Sequence, residues 1–174
     1  MPTSALNVLC VMTIAGSLLL ASGPVWAEKL PLPSGDVLLT ISGDIENTNT
    51  DGAAQFDRRM LERLGLVDVT TVTPWHGLEE MRFSGVPLSV LLDYVGAHGI
   101  TITAVALDDY RVDIPMPDSV ETGVILALKL NGQDMTVKNR GPLFVIYPYD
   151  TSDVLDTKIY YARSAWQVAR LIIK

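Results

Sequence analysis

Two histidines, one cysteine and a few clusters of charge are the residues of this 174-residue chain whose types can do chemistry. His76 follows Trp75 and precedes the pair Glu79 and Glu80. A His and a Glu three apart can share a helix face and ligate a divalent metal, but a closed site needs more ligands than one such pair. A solvated loop or a pocket wall is the plainer role for this segment. Asp108, Asp109 and Tyr110 put two carboxylates beside a phenol. Paired carboxylates can split their pKa values and serve as acid and base. Neighbours in sequence often point apart, so a solvated turn is the plainer role there. Lys138, Arg140 and Arg163 are basic residues in an acidic chain, and an Arg can clamp a phosphate or carboxylate with two hydrogen bonds. Thr73 and Ser164 are hydroxyls with no recognisable base-and-acid motif to make them nucleophiles. His98, between Ala97 and Gly99, suits a cation at a helix C-terminus. Trp75, Tyr147, Tyr149, Tyr160, Tyr161 and Trp166 form an aromatic set that can line a groove or fill a core.

The elements that position these residues begin after an uncharged stretch. Lys and Arg number 13 and Asp and Glu 20, giving a net charge of −7, and none of these residues precedes Glu28. The acidic balance of a domain this size argues against a nucleic-acid partner, which demands a basic face, and against a polybasic membrane anchor. Residues 6–21 are largely apolar, Pro24 breaks the run, and Val25 and Ala27 stand at the −3 and −1 positions of a cleavage site. Residues 1–27 are therefore expected to be a secretory signal cleaved after Ala27, leaving a periplasmic or secreted protein without a membrane span. No Arg-Arg pair precedes the apolar run, which points to the general secretory route. The single cysteine, Cys10, would leave with the signal, and with it any disulfide or thiolate ligand.

Residues 28–35 read as a flexible, Pro-containing leader and residues 36–174 as one domain. Strands are expected over residues 36–42, 66–73, 100–107, 110–114, 124–130, 135–137 and 143–147, where β-branched and apolar residues cluster. A short helix is expected over residues 55–64, from the spacing of Phe56, Met60, Leu61 and Leu64, ending at Gly65. A second helix opens at Pro87 with Leu88, Leu91, Leu92 and Val95 on one face. Asn131-Gly132 marks a hairpin, because both central residues of its turn need positive φ. Residues 164–174 fit either a strand or a helix. The fold class is α+β: a single domain with a mixed, mainly antiparallel sheet and short helices.

The order of elements resembles the oxidoreductase molybdopterin-binding domain family, the fold of sulfite oxidase catalytic domains. Four segments carry the resemblance: Leu39-Thr-Ile-Ser-Gly43; Phe83-Ser-Gly-Val-Pro-Leu-Ser-Val-Leu-Leu92; Ala106-Leu-Asp-Asp-Tyr110 with Val112-Asp-Ile-Pro115; and Ala127 to Gly132 continuing through Arg140-Gly-Pro-Leu-Phe-Val-Ile-Tyr-Pro148. The resemblance implies a cofactor cleft lined by Thr73, Trp75, His76, Tyr110, Lys138, Arg140, Arg163 and Ser164. It also implies a Cys thiolate for molybdenum after the strand over residues 66–73, and this chain has none there. A Thr hydroxyl does not replace a soft, anionic thiolate. Where the family carries an Arg before its last proline, this chain has Phe144, and Arg163-Ser-Ala-Trp166 lacks the basic residue expected next to its Trp. Two functions follow as expectations. One is a cofactor-free ligand-binding or sensory module of the cell envelope, its arginines offering a small anionic ligand a locally positive groove, or serving an envelope partner protein. The other is a molybdopterin-dependent oxidoreductase with an atypical ligand set.

Overall fold

The computed structural model describes residues 30–174. The expected signal, residues 1–27, lies outside them. Val37–Gly43 (β1) alternates as a half-buried strand should, with Leu39 and Ile41 inward. Ala53–Asp57 (β2) pairs with it antiparallel. Arg58–Arg63 (α1) then starts only after Asp57, whose carboxylate accepts the Met60 N–H at 2.8 Å as an N-cap. The helix expected over residues 55–64 is thus half strand. Phe56 satisfies both a helical and a two-residue period, and the backbone of residues 53–57 is claimed by the ladder to β1.

Val67–Val72 (β3) and Glu80–Pro87 (β4) form an antiparallel pair. Pro87 leads directly into Leu88–Val95 (α2), which Gly96 ends in the left-handed conformation at φ 61°. Thr101–Ala106 (β5) turns back into Arg111–Pro115 (β6), and the single turn Asp118–Glu121 (α3) follows. Ile125–Leu130 (β7) and Gln133–Asp134 (β8) make a hairpin at the expected turn, with Asn131 at φ 50° and Gly132 at φ 79°, but its second strand lies at residues 133–134 rather than 135–137, where Thr136 instead caps a 3₁₀ turn over Val137–Asn139. Phe144–Ile146 (β9), Lys158–Arg163 (α4) and Val168–Ile173 (β10) complete the chain, so the ambiguous tail is a strand.

Two sheets result. One has the order β2-β1-β10-β5-β6; the other runs β3-β4-β7-β8, with β9 also paired to β7. Every pairing between named strands is antiparallel except β1 with β10. The fold is α+β and a single domain. Leu88, Leu91, Leu92 and Val95 of α2 share one core with Leu39, Ile41 and Phe56 of the first sheet and Leu126, Leu128 and Val145 around the second. A smaller core on the other face of the second sheet gathers Phe83, Ile125, Ala127, Met135, Phe144 and Ile146. Both faces of β7 are covered, which is why residues 124–128 form an unbroken apolar run rather than an alternating one.

The leader differs from expectation in its described part. Leu30 is buried and its N–H donates to the Thr48 carbonyl at 3.2 Å. Asn49 donates to the Pro31 carbonyl at 2.8 Å, and the N–H groups of Ser34 and Gly35 donate to Asp57 at 2.7 and 2.9 Å. The spare acceptors of Asp57 and the returning turn at residues 47–52 order a segment that composition alone marks as free. Among the described residues no helix is long and apolar enough to cross a membrane.

Candidate functional site

Three segments meet beside the carboxyl end of β3. The β5–β6 turn is set by Asp109, in the left-handed region at φ 64°, and by the Asp108 carboxylate accepting the Tyr110 N–H at 3.1 Å. The Leu107 N–H reaches across to the carbonyl of Gln167, and the Gln167 N–H donates to the carbonyl of Arg140. Those two bonds fix Trp166 relative to both neighbours. The loop after β3 is pinned where the Val72 N–H donates to the Asp150 carboxylate at 2.9 Å.

Between these segments lies a cleft of about 530 Å³, lined by Pro74, Trp75, Tyr161 and Trp166 on an aromatic side and by Ala106, Asp108 and Tyr110 on the turn side, with exposed Ala162 and buried Ser164 and Ala165 completing the wall. Trp75 organises the aromatic side. Its ring lies 5.4 Å from Phe144, 5.8 Å from Trp166 and 6.0 Å from Tyr161, the last two edge-to-face. Such pairs add about 0.5–1.5 kcal/mol each beyond their burial.

The cleft brings together Trp75, Tyr110 and Ser164 of the expected site residues. Ser164 is buried, donates to the Tyr160 carbonyl at 2.7 Å and so accepts from the Tyr149 hydroxyl. Burial, the largest influence, raises the Tyr149 pKa well above the usual phenol value. A serine so committed has no proton to give a substrate.

Thr73, His76 and Arg140 form a second group beside the cleft rather than in its wall. Thr73 Oγ1 and His76 Nδ1 are 2.6 Å apart, and Arg140 Nη1 stands 3.5 Å from His76 Nε2. Arg can only donate, so Nε2 accepts, and the neutral ring carries its proton on Nδ1, directed at Thr73. Burial and then the Arg140 charge lower the His76 pKa, which keeps the ring neutral in this setting. The Arg140 guanidinium also lies 5.9 Å from the Trp166 ring centroid.

Arg163 is turned elsewhere. Its Nη1 donates to Asp118 Oδ2 at 2.9 Å, the same oxygen that accepts the Tyr147 hydroxyl at 2.9 Å, and its guanidinium lies over the Tyr160 ring. Lys138 is exposed on a 3₁₀ turn and has no hydrogen bond or ion pair among the described residues. The positive groove expected from the basic residues is therefore absent from the wall, whose single charged residue is Asp108. The buried Asp118 carboxylate, a stronger claim than a solvated cleft, takes Arg163. Asp108, Tyr161 and Trp166 are the acidic and aromatic lining residues the sequence left out of the expected site. All three stood in noted clusters, but only tertiary contact separates a wall aromatic from a core one.

The architecture defines an α+β domain of two mainly antiparallel sheets with short helices. The family model for the oxidoreductase molybdopterin binding domain matches residues 47–152, and the chain belongs to that family. No curated protein matches it in sequence. Among solved structures it is similar to the sulfane dehydrogenase SoxCD from Paracoccus pantotrophus, with a TM-score of 0.59 and 20% identity over 83% of this chain. The chain spans 39% of the length of that protein chain, and the likeness is one of fold.

Membership implies a molybdopterin group, and the residues present do not fit it. After β3, where the thiolate would stand, Thr73 is buried and engaged with His76. Where an Arg would meet the pterin, Phe144 is fully buried against Trp75. No Lys or Arg lines the cleft to take a phosphate, and no cluster of three His, Cys, Asp or Glu side chains occurs among the described residues.

Proposed function

We propose that this protein is an exported cell-envelope module that binds a small organic ligand in the Trp75–Tyr110 cleft and works without a molybdenum centre. The packing of Trp75 on Phe144, at 5.4 Å, carries this reading. It puts two apolar rings where the family's cofactor-contacting chemistry is expected, while a walled cleft within the usual size of small-molecule sites stays open beside them. Export rests on the apolar segment and the Val25-Trp26-Ala27 site.

Elemental analysis of protein recovered from the cell envelope after growth with molybdate tests the first part. Molybdenum and tungsten should be far below one atom per chain; a stoichiometric amount would overturn the reading. It would favour instead a molybdopterin-dependent oxidoreductase with an atypical ligand set, which family membership supports. N-terminal sequencing of the same material should begin at Glu28, and export should persist in a strain without twin-arginine translocation.

A further inference from the structure

We infer that the cleft selects an organic cation, an ammonium group bearing methyl or aromatic substituents, which sits between the Trp75–Tyr161–Trp166 wall and the Asp108–Tyr110 turn. This rests on the binding-module reading above and specifies its ligand class. Aromatic faces carry negative potential and attract ammonium groups whose substituents make them weakly hydrated. The cleft offers three such rings on one side and the half-exposed Tyr110 ring on the other.

The charges favour the same sign. Asp109, the neighbour of Asp108, is held by Arg170 at 2.5 Å, whereas Asp108 has no ion pair among the described residues and accepts only the Tyr110 N–H. Its carboxylate keeps unfilled lone pairs at the cleft wall. The basic residues that could serve an anion are placed elsewhere: Arg163 on Asp118, Arg140 toward His76, Lys138 on an exposed turn. An anion in the cleft would face Asp108 with no Lys or Arg among the lining residues, and a neutral ligand would leave that carboxylate unused. The chain's net charge of −7 adds a long-range field of the sign that gathers cations.

The molecule carries its own reporter. Of its three tryptophans, Trp75 and Trp166 line the cleft and the third is Trp26. In the full chain with Trp26→Phe, all indole emission comes from the cleft. Benzyltrimethylammonium should quench or shift that emission saturably and release heat in calorimetry, whereas benzoate and benzyl alcohol should do neither at the same concentrations. Asp108→Asn should weaken the cation by about fivefold or more, and Asp109→Asn, which keeps a residue type suited to positive φ, should leave it within about twofold. Molybdenum-free, folded protein that binds benzoate in preference, ignores the cation, or binds it equally in Asp108→Asn overturns this inference. The binding-module reading itself stands or falls separately, on the molybdenum measurement.

Discussion

Asp57 illustrates how much one carboxylate can hold. It caps α1 through Met60 and takes the N–H groups of Ser34 and Gly35 and the Ser34 hydroxyl. These donors, Met60 first, outweigh its burial and pull its pKa down to about 2. The folded value lies below the unfolded one, so the stabilisation is fully present above about pH 4 and is lost as pH falls through about 2. Asp57→Ala should lower unfolding free energy by about 1–2 kcal/mol near neutral pH. In urea titrations the gap between wild type and variant should narrow steadily from about pH 4 to pH 2. A gap independent of pH would refute the assignment. Arg163 is the complementary case. Read as an anion clamp in sequence, it proves to be the partner of Asp118, 45 residues away. No local signal reveals that pairing, because it depends on α4 settling near β6 and α3. Arg163→Ala should therefore destabilise by about 2–4 kcal/mol, since it leaves a buried carboxylate with Tyr147 alone. Ligand binding by whatever remains folded should be little changed, and an unaltered melting temperature would count against the structural role.

Elements were legible where punctuation residues set them. Pro87 and Gly96 bracket α2, and Asn131-Gly132 fixes the β7–β8 register, because those conformations admit few other residues. Legibility failed where one pattern fits two periods, as at Phe56, or where both faces are buried. β4 is such a strand: residues 83–86 are all buried, so no alternation distinguishes it from a loop leading to a helix. The cleft was half legible for a related reason. Its aromatic and acidic members are conspicuous by type, but which ring faces solvent is decided by the crossing of β9 with Trp166. Gly85 shows what β4 demands. A Cβ there would lie 2.4 Å from the Leu126 carbonyl oxygen and 2.6 Å from the Ala127 Cα, at the bulge where β4 meets β7. No side-chain rotation relieves a clash with backbone. Gly85→Ala should cost about 2–3 kcal/mol, at the upper end for overpacking. Amide exchange should quicken along β4 and β7 more than along β1 and β2; a neutral substitution would mean that the two strands part without loss.

For the whole molecule the last strand matters most. β10 is the middle strand of the first sheet, parallel to β1 on one side and antiparallel to β5 on the other. The first sheet is therefore continuous only once residues 168–173 are in place between β1 and β5. Val168, Leu171 and Ile173 are buried, and the Lys174 carbonyl accepts from Ile100 and Thr101. Burying those three side chains contributes about 5–9 kcal/mol, which is comparable with the whole stability of a domain this size. Without β10, β1 and β5 would also present two unpaired edges to solvent, a template for aggregation. A chain ending at Gln167 should thus lose its cooperative unfolding transition and near-ultraviolet dichroism, and bind no cation in the cleft even though every lining residue is still present. Adding the missing peptide, residues 168–174, in trans should restore part of the signal if the vacant slot between β1 and β5 is preformed. A truncated chain that still melts cooperatively, with tryptophan emission unchanged, would show that the first sheet does not depend on its central strand, and with it the physical account of how the cleft is held would fail.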